Sequence, residues 1–276
     1  MSKKLITIIF ITVVAFSAFF SCKKTKQTTG DQTHNYFPIQ LGKFVTYNVD
    51  STVYFVVPTL DSSYDTGGHV IYDTIKNCRQ LETRTQLKYA ITDTFRDSKN
   101  KLSYIMDVYY RPHDGAIWTK VRVILLTPSD IIQSTTTLPT GTPVTSLLYN
   151  QDGVQFIKMV YPIQQGLSWA GNANIDVNDP AFSYYKNWNY VYTDVNKSYN
   201  NGFVNFDNTV TVVEDNESVN YPQLDSAVYA YRIYAKEVYA WNVGMIYKEW
   251  THWTYMPHDE KCIAGYTVIM RAIDHN

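Results

Sequence analysis

From Phe44 onward the chain alternates between apolar and polar residues with a period of two. The clearest run is Leu81-Glu82-Thr83-Arg84-Thr85-Gln86-Leu87-Lys88-Tyr89, where odd positions are apolar or β-branched and even positions are charged or polar. That period belongs to a strand with one wet face. Similar alternation marks Ile117 to Leu125, Thr209 to Val213 and Tyr266 to Ile273. His113-Asp114-Gly115, Asn150-Gln151-Asp152-Gly153 and Asn200-Asn201-Gly202 separate such runs, and each supplies residues that tolerate positive φ. Short strands joined by such turns predict a mainly β fold: a strongly curved antiparallel sheet, a sandwich or an open barrel, with at most one or two short helices. One segment reads as helix. From Asp225 to Tyr239, Val228, Tyr231, Ala235 and Val238 recur at spacings of three and four, Asp225 is placed to cap, and Gly244 follows as a stop signal. Its Tyr and Val content favours a strand instead, so both states stay open. Asn, Asp and Pro between Asn174 and Pro180 predict a long loop within one domain.

The first residues follow a different pattern. Met1-Ser2-Lys3-Lys4 precedes an apolar run from Leu5 to Phe20, and the chain turns polar at Cys22-Lys23-Lys24-Thr25-Lys26. This is the order of a signal peptide. The run is shorter than the ~20 residues that span hydrocarbon as a helix. Ser21-Cys22 resembles the lipobox of bacterial lipoproteins in the looser form of Bacteroidota-type envelopes, with Phe19 where Leu is usual. The resemblance implies cleavage before Cys22 and acylation of its thiol; the alternative is an ordinary secreted protein with a chance cysteine at the cut. Each buried methylene contributes roughly 0.8 kcal/mol, so two or three acyl chains would hold the protein to a membrane firmly. The predicted organisation is a signal peptide over 1–21, a lipidated flexible tether over 22–34 and a single β-rich domain over 35–276. The tether is basic, whereas surface-export signals of such lipoproteins are acidic. The expected location is therefore the outer membrane, facing the periplasm.

Removing the leader takes Lys3 and Lys4 from 24 basic residues, leaving 22 against 25 acidic ones, a net charge of about −3. That balance gives no reason to expect nucleic acid as a partner. The 24 tyrosines are unusual and all follow the cleavage site. Tyrosine packs an apolar ring and keeps a wet hydroxyl, which suits half-exposed sheet faces and binding surfaces alike. With Cys22 consumed by lipid, Cys78 and Cys262 remain in a compartment where disulfides persist; they can pair or stay free. Two cysteines without closely spaced partners do not make a structural zinc site.

Three blocks carry a resemblance. Tyr36-Phe37-Pro38-Ile39-Gln40-Leu41-Gly42 is followed by Tyr47-Asn48-Val49-Asp50-Ser51; Phe156 to Pro162 is followed by Gly166, Trp169, Gly171, Asn172 and Ala173; Val238-Tyr239-Ala240 is followed by Asn242 to Glu249. Together they are similar to a family of uncharacterised envelope lipoproteins, with Trp241 replacing that family's basic residue or glycine. The likeness implies location and a β-rich fold, and no activity. In the blocks themselves, Pro38 and Gly42 suggest a tight entry to the first strand, and Trp169 beside Gly171 suggests an indole over bare backbone.

The chain has no Gly-x-Ser-x-Gly elbow, no His-Glu-x-x-His helix and no phosphate loop. No metal and no cofactor is expected. Glu249, His252, His258, Asp259, Glu260 and Cys262 form the densest titratable set, but an odd separation sends Glu249 and His252 to opposite strand faces. Tyr247, Trp253 and Tyr255 share one strand face and could offer a platform for sugar rings, or fill a sheet core, with Trp250 on the other face. Ser51, Thr74 and Ser226 follow aspartates as in short O-glycosylation acceptors of such envelopes, a pattern that also begins turns. The leading expectation is a lipid-anchored, non-catalytic binding or structural protein, its partners the membrane and a glycan or envelope protein. A carrier or assembly factor that shelters lipid or lipoprotein acyl chains is the first alternative. A hydrolase with dispersed carboxylates is the second.

Overall fold

The computed structural model describes residues 35–64, 70–129, 145–220, 229–255 and 262–276, with side chains at 58–77 left aside. Its elements are β1 (Phe44–Tyr64), β2 (Val70–Arg96), β3 (Leu102–Arg111), β4 (Thr119–Ser129), β5 (Thr145–Gln151), β6 (Val154–Tyr161), β7 (Ser168–Ala170), β8 (Asn189–Asn200), β9 (Asn205–Val219), β10 (Ala230–Ala240), β11 (Gly244–Tyr255) and β12 (Ile263–His275). One 3-10 turn, Ser183–Tyr185, interrupts the loop after β7. All strands join a single antiparallel sheet in the order β6-β5-β4-β3-β2-β1-β12-β11-β10-β9-β8-β7. Each strand therefore pairs with its sequence neighbour, and β1 pairs with β12 from Val45↔His275 to Tyr54↔Gly265.

The two edges of this meander, β6 and β7, are also consecutive in sequence, so the sheet curls into a nearly closed barrel. Little backbone crosses the seam: the Ile157 N–H donates to the Gly171 carbonyl at 2.9 Å. Side chains do the rest. Trp169 Nε1 donates to the Ile157 carbonyl at 2.8 Å. The Tyr192 hydroxyl accepts from the Val160 N–H at 3.0 Å and donates back to the Val160 carbonyl at 2.9 Å. A phenol on β8 thus does for Val160 what a neighbouring strand would do, and β7, only three residues long, leaves room for it. Gly171 is needed here because a Cβ would lie 2.4 Å from the Tyr190 ring. It is therefore Tyr190, not the Trp169 indole, that covers this glycine; Trp169 packs edge-on against Tyr190 at 5.5 Å.

The interior is filled mainly by Ile124, Leu126, Leu147, Met159, Tyr190, Tyr192, Val210, Val212 and Tyr239, all fully buried. The alternating run at 81–89 lies in β2, the runs at 209–213 and 266–273 lie in β9 and β12, and most of 117–125 lies in β4. The expected helix over Asp225 to Tyr239 is a strand from Ala230, and residues 225–228 fall outside the described region. Ala235, Glu237 and Tyr239 face the interior, while Val238 is buried on the outer side with Tyr247. Burial on both faces removes the clean period of two and leaves apolar spacings that mimic a helix. Gly244, at φ +104°, turns the β10–β11 hairpin and ends no helix.

The β8–β9 hairpin causes that outer burial. Its register breaks at Thr193/Lys197 and Lys197/Tyr199, with positive φ at Asp194, Asn196 and Asn208, and the hairpin bends over the neighbouring strands. Asn201 fixes its tip by donating to the Ile246 and Ala272 carbonyls at 3.3 and 2.8 Å. Beyond the barrel, β1 and β2 continue as a two-stranded ribbon. Cys78 in that ribbon is bonded to Cys262 at the start of β12, so the two cysteines pair.

Candidate functional site

Inside the barrel four charged side chains meet. Two arrive through β-bulges. On β6, Leu147 faces Met159 and Leu148 faces Ile157, so Lys158 is the extra residue. On β9, Lys236 faces Val213 and Ala235 faces Asp215, so Glu214 is the extra residue. A bulge re-aims the side chain it carries, and both of these turn into the barrel. The other two, Glu237 on β10 and Lys248 on β11, are direct cross-strand partners.

Lys158 Nζ lies 2.6 Å from Glu214 Oε1 and 2.7 Å from Glu237 Oε1. Lys248 Nζ lies 2.8 Å from Glu237 Oε1, and the Tyr239 hydroxyl donates to Glu237 Oε2. Lys158 also stands 5.3 Å from the centre of the Tyr149 ring. Burial pushes the Glu237 carboxyl up, but Lys158 and Lys248 outweigh it and hold the group well below the usual carboxylate range. Burial and the Glu237 charge raise Glu214, against the pull of Lys158. Burial lowers Lys158 and Lys248, and the two carboxylates more than reverse this, so both ammonium groups stay charged. Tyr239 and Tyr149 are raised, mainly by burial, and remain neutral phenols.

Lys158, Glu237 and Lys248 of this cluster floor a cavity, about 560 Å³ of empty space when the open solvent at its mouth is counted, lined also by Val45, Tyr47, Tyr89, Ile91, Met106 and Met245. Phe37, Pro38, Lys43, Phe44 and Val243 line it at the end of the barrel where β1 begins. The segment before β1 crosses that end. The Asn242 N–H donates to the Asn35 carbonyl at 2.7 Å, Tyr36 packs edge-on against Trp241 at 5.2 Å, and Phe37 lies 5.8 Å from Tyr239. Phe37 and Pro38 of the opening motif therefore form one wall of the mouth, a role beyond strand entry, while Tyr36 packs beside them on Trp241.

Neither lysine nor glutamate of this cluster was picked out by spacing. The available signal was a lone lysine within the apolar run Phe156 to Tyr161. The residues that the sequence did suggest lie elsewhere. Tyr247 and Tyr255 are 9% and 3% exposed, and Tyr199 covers Tyr247 at 5.4 Å. With Trp253 the only half-exposed ring of the three, they share a face as expected but make no open platform. Ser51 is half-buried in the middle of β1, between Thr83 and Val268, and its neighbour Asp50 binds Arg84 and Arg271 at 2.6 Å each. Thr74 lies on β2 opposite Leu60. Cys22, Ser226, His258, Asp259 and Glu260 lie outside the described residues. Glu249 accepts from Tyr247 at 3.0 Å, while His252 packs edge-on against Tyr266 at 5.9 Å.

No family model matches the chain, and no curated protein matches it. Among solved structures, a candidate exported protein with a YmcC-like fold from Bacteroides fragilis is similar at 11% identity. It covers 86% of this chain and 98% of its own, with a TM-score of 0.28, at which the two folds are not equated.

Proposed function

We propose that the protein is a lipid-anchored envelope protein of the uncharacterised lipoprotein family its blocks resemble, held by an acylated Cys22, and that its barrel is a non-catalytic binding domain whose site is the cavity above Lys158, Glu237 and Lys248. The observation that carries this reading is the state of the one carboxylate on the cavity wall. Both Glu237 oxygens are occupied, by two ammonium groups and a phenol, and its acidity is strengthened. A general base needs a pKa near the working pH, and Lys158 and Lys248 hold the Glu237 carboxyl well below it. Paired carboxylates for hydrolysis must likewise face the substrate, whereas Glu214 is screened by Lys158. A mostly apolar wall with a few convergent polar groups is the usual composition of a ligand site.

Two measurements test the proposal. Native mass spectrometry of the exported chain carrying Cys22→Ser, purified without detergent, is expected to find one small molecule per chain; Val243→Trp at the mouth is expected to remove it. A bare chain in both proteins, or the same adduct in both, contradicts the binding reading. Metabolic labelling with a fatty-acid probe is expected to mark the wild type and not Cys22→Ser; equal labelling contradicts the anchor.

A further inference from the structure

The charges on the cavity wall point to a ligand class. Three cations line the cavity, Lys43, Lys158 and Lys248, with one anion, Glu237, and behind the wall Glu214 balances Lys158. All three have partners. Lys158 holds two carboxylates. Lys43, at the mouth, donates to the Asn276 and Asn242 backbone oxygens at 2.6 and 3.5 Å. Lys248 differs: its carboxylate partner, Glu237, is shared with Lys158, and an ammonium has three donors. Its side chain is 24% exposed although it sits on the inner face of the barrel, so that exposure opens into the cavity. Between Lys248 and the mouth the wall is Val45, Ile91, Met106 and Met245.

We infer that the cavity takes a single-chain fatty acid, with its carboxylate on Lys248 Nζ and its alkyl chain running out past Met106 and Val45. This rests on the binding reading and deepens it. A cationic head would meet Lys248 with like charge, and a neutral head would leave its spare donors without a charged acceptor in a low-dielectric site. Glu214 and Glu237 already balance Lys158 and Lys248, so a carboxylate monoanion adds one net charge at the floor where a phosphate dianion adds two. The alkyl chain replaces water against apolar side chains and contributes roughly 25 cal/mol per Å² of apolar surface removed from water. The position of the mouth fits such a source. The dozen residues from Lys23 to His34 join the mouth end of the barrel to Cys22, and fully extended they reach about 40 Å. Acylation of Cys22 would therefore keep the mouth within reach of a bilayer, where fatty acids partition.

The test is calorimetric titration of the exported chain carrying Cys22→Ser with decanoate, decyltrimethylammonium, decanol and decyl phosphate. Decanoate is expected to bind one per chain, at least tenfold more tightly than the other three. Lys248→Met is expected to weaken decanoate at least tenfold and to leave decanol unchanged. Because that variant also strips a partner from Glu237, Val243→Trp serves as a second one that leaves the ion cluster intact, and it is expected to abolish decanoate binding. Equal affinity for the decyl probes, or a preference for decyl phosphate, overturns the fatty-acid assignment while sparing the cavity as a site, provided Val243→Trp still blocks the probe. Absence of binding by every probe to the folded chain overturns the fatty-acid inference, and the adduct in native mass spectrometry then decides the cavity reading separately.

Discussion

Lys158 shows how far one residue departs from what its neighbours suggest. In the run Phe156-Ile157-Lys158-Met159-Val160-Tyr161 a lysine would ordinarily face water, and only the bulge opposite Leu147 and Leu148 turns it inward. Desolvating an ion costs several kcal/mol, so the quartet is weak evidence for stability in itself, but removing one member leaves the others buried and uncompensated. Lys158→Met is therefore expected to destabilise the protein by roughly 3–5 kcal/mol, read from urea unfolding. Adding Glu214→Gln to that variant is expected to recover part of the loss, since the two side chains share one interaction. Asp215, beside Glu214 in the same bulge, behaves differently. Burial and the Glu217 charge raise its carboxyl from 3.8 to about 6. A raised acid binds its proton more tightly when folded, so its contribution is fully present below about pH 4 and is lost as the pH rises through about 6. Asp215→Asn is expected to be more stable than the wild type by about 1–2 kcal/mol at pH 7.5, a solvent-discounted figure, and to lose that advantage at pH 4. Urea midpoints of both proteins at the two pH values check this; an advantage independent of pH contradicts it.

Among the elements, alternation of apolar and polar residues was enough for β2, β4, β9 and β12, and turn residues precede two of them, Asp114-Gly115 before β4 and Asn201-Gly202 before β9. β10 was not legible. The folded-over β8–β9 hairpin buries Val238 and Tyr247 on the outside, and no local pattern in Ala230–Ala240 announces a cover supplied by Tyr199. The same long-range packing hid the site, since bulge positions depend on which strand lies opposite. The tyrosine excess was legible as a quantity but not as a location: Tyr47, Tyr161, Tyr190, Tyr192 and Tyr239 are buried, and Tyr192 joins the two edges of the sheet. The bridge from Cys78 to Cys262 ties the base of the β1–β2 ribbon to β12 across a sequence separation of 184. Closing a loop of that length is worth about 5 kcal/mol on the chain-entropy model, an upper figure. Cys78→Ala with Cys262→Ala is expected to lower unfolding free energy by about 2–4 kcal/mol while keeping the β-sheet signal in circular dichroism. Loss of that signal in native buffer would mean that the barrel cannot form without the bridge.

For the whole molecule, strand order and site are connected. A meander that closes with consecutive strands at its edges needs no ladder across the seam if side chains span it, and Lys158 on β6 reaching Glu214 on β9 and Glu237 on β10 is such a span. The ion cluster therefore both joins the two halves of the sheet and floors the cavity, and the cavity opens where the chain leads back toward Cys22. Joined in this way, the buried amine floor is placed to meet a ligand. Lysine-selective ¹⁵N NMR of the exported chain carrying Cys22→Ser reads it most directly. The Lys158 ammonium signal is expected to be protected from exchange with water, and on addition of decanoate the Lys248 signal is expected to shift and gain protection while Lys158 holds. Shifts confined to lysines outside the barrel, or rapid exchange at both interior lysines, would contradict the account.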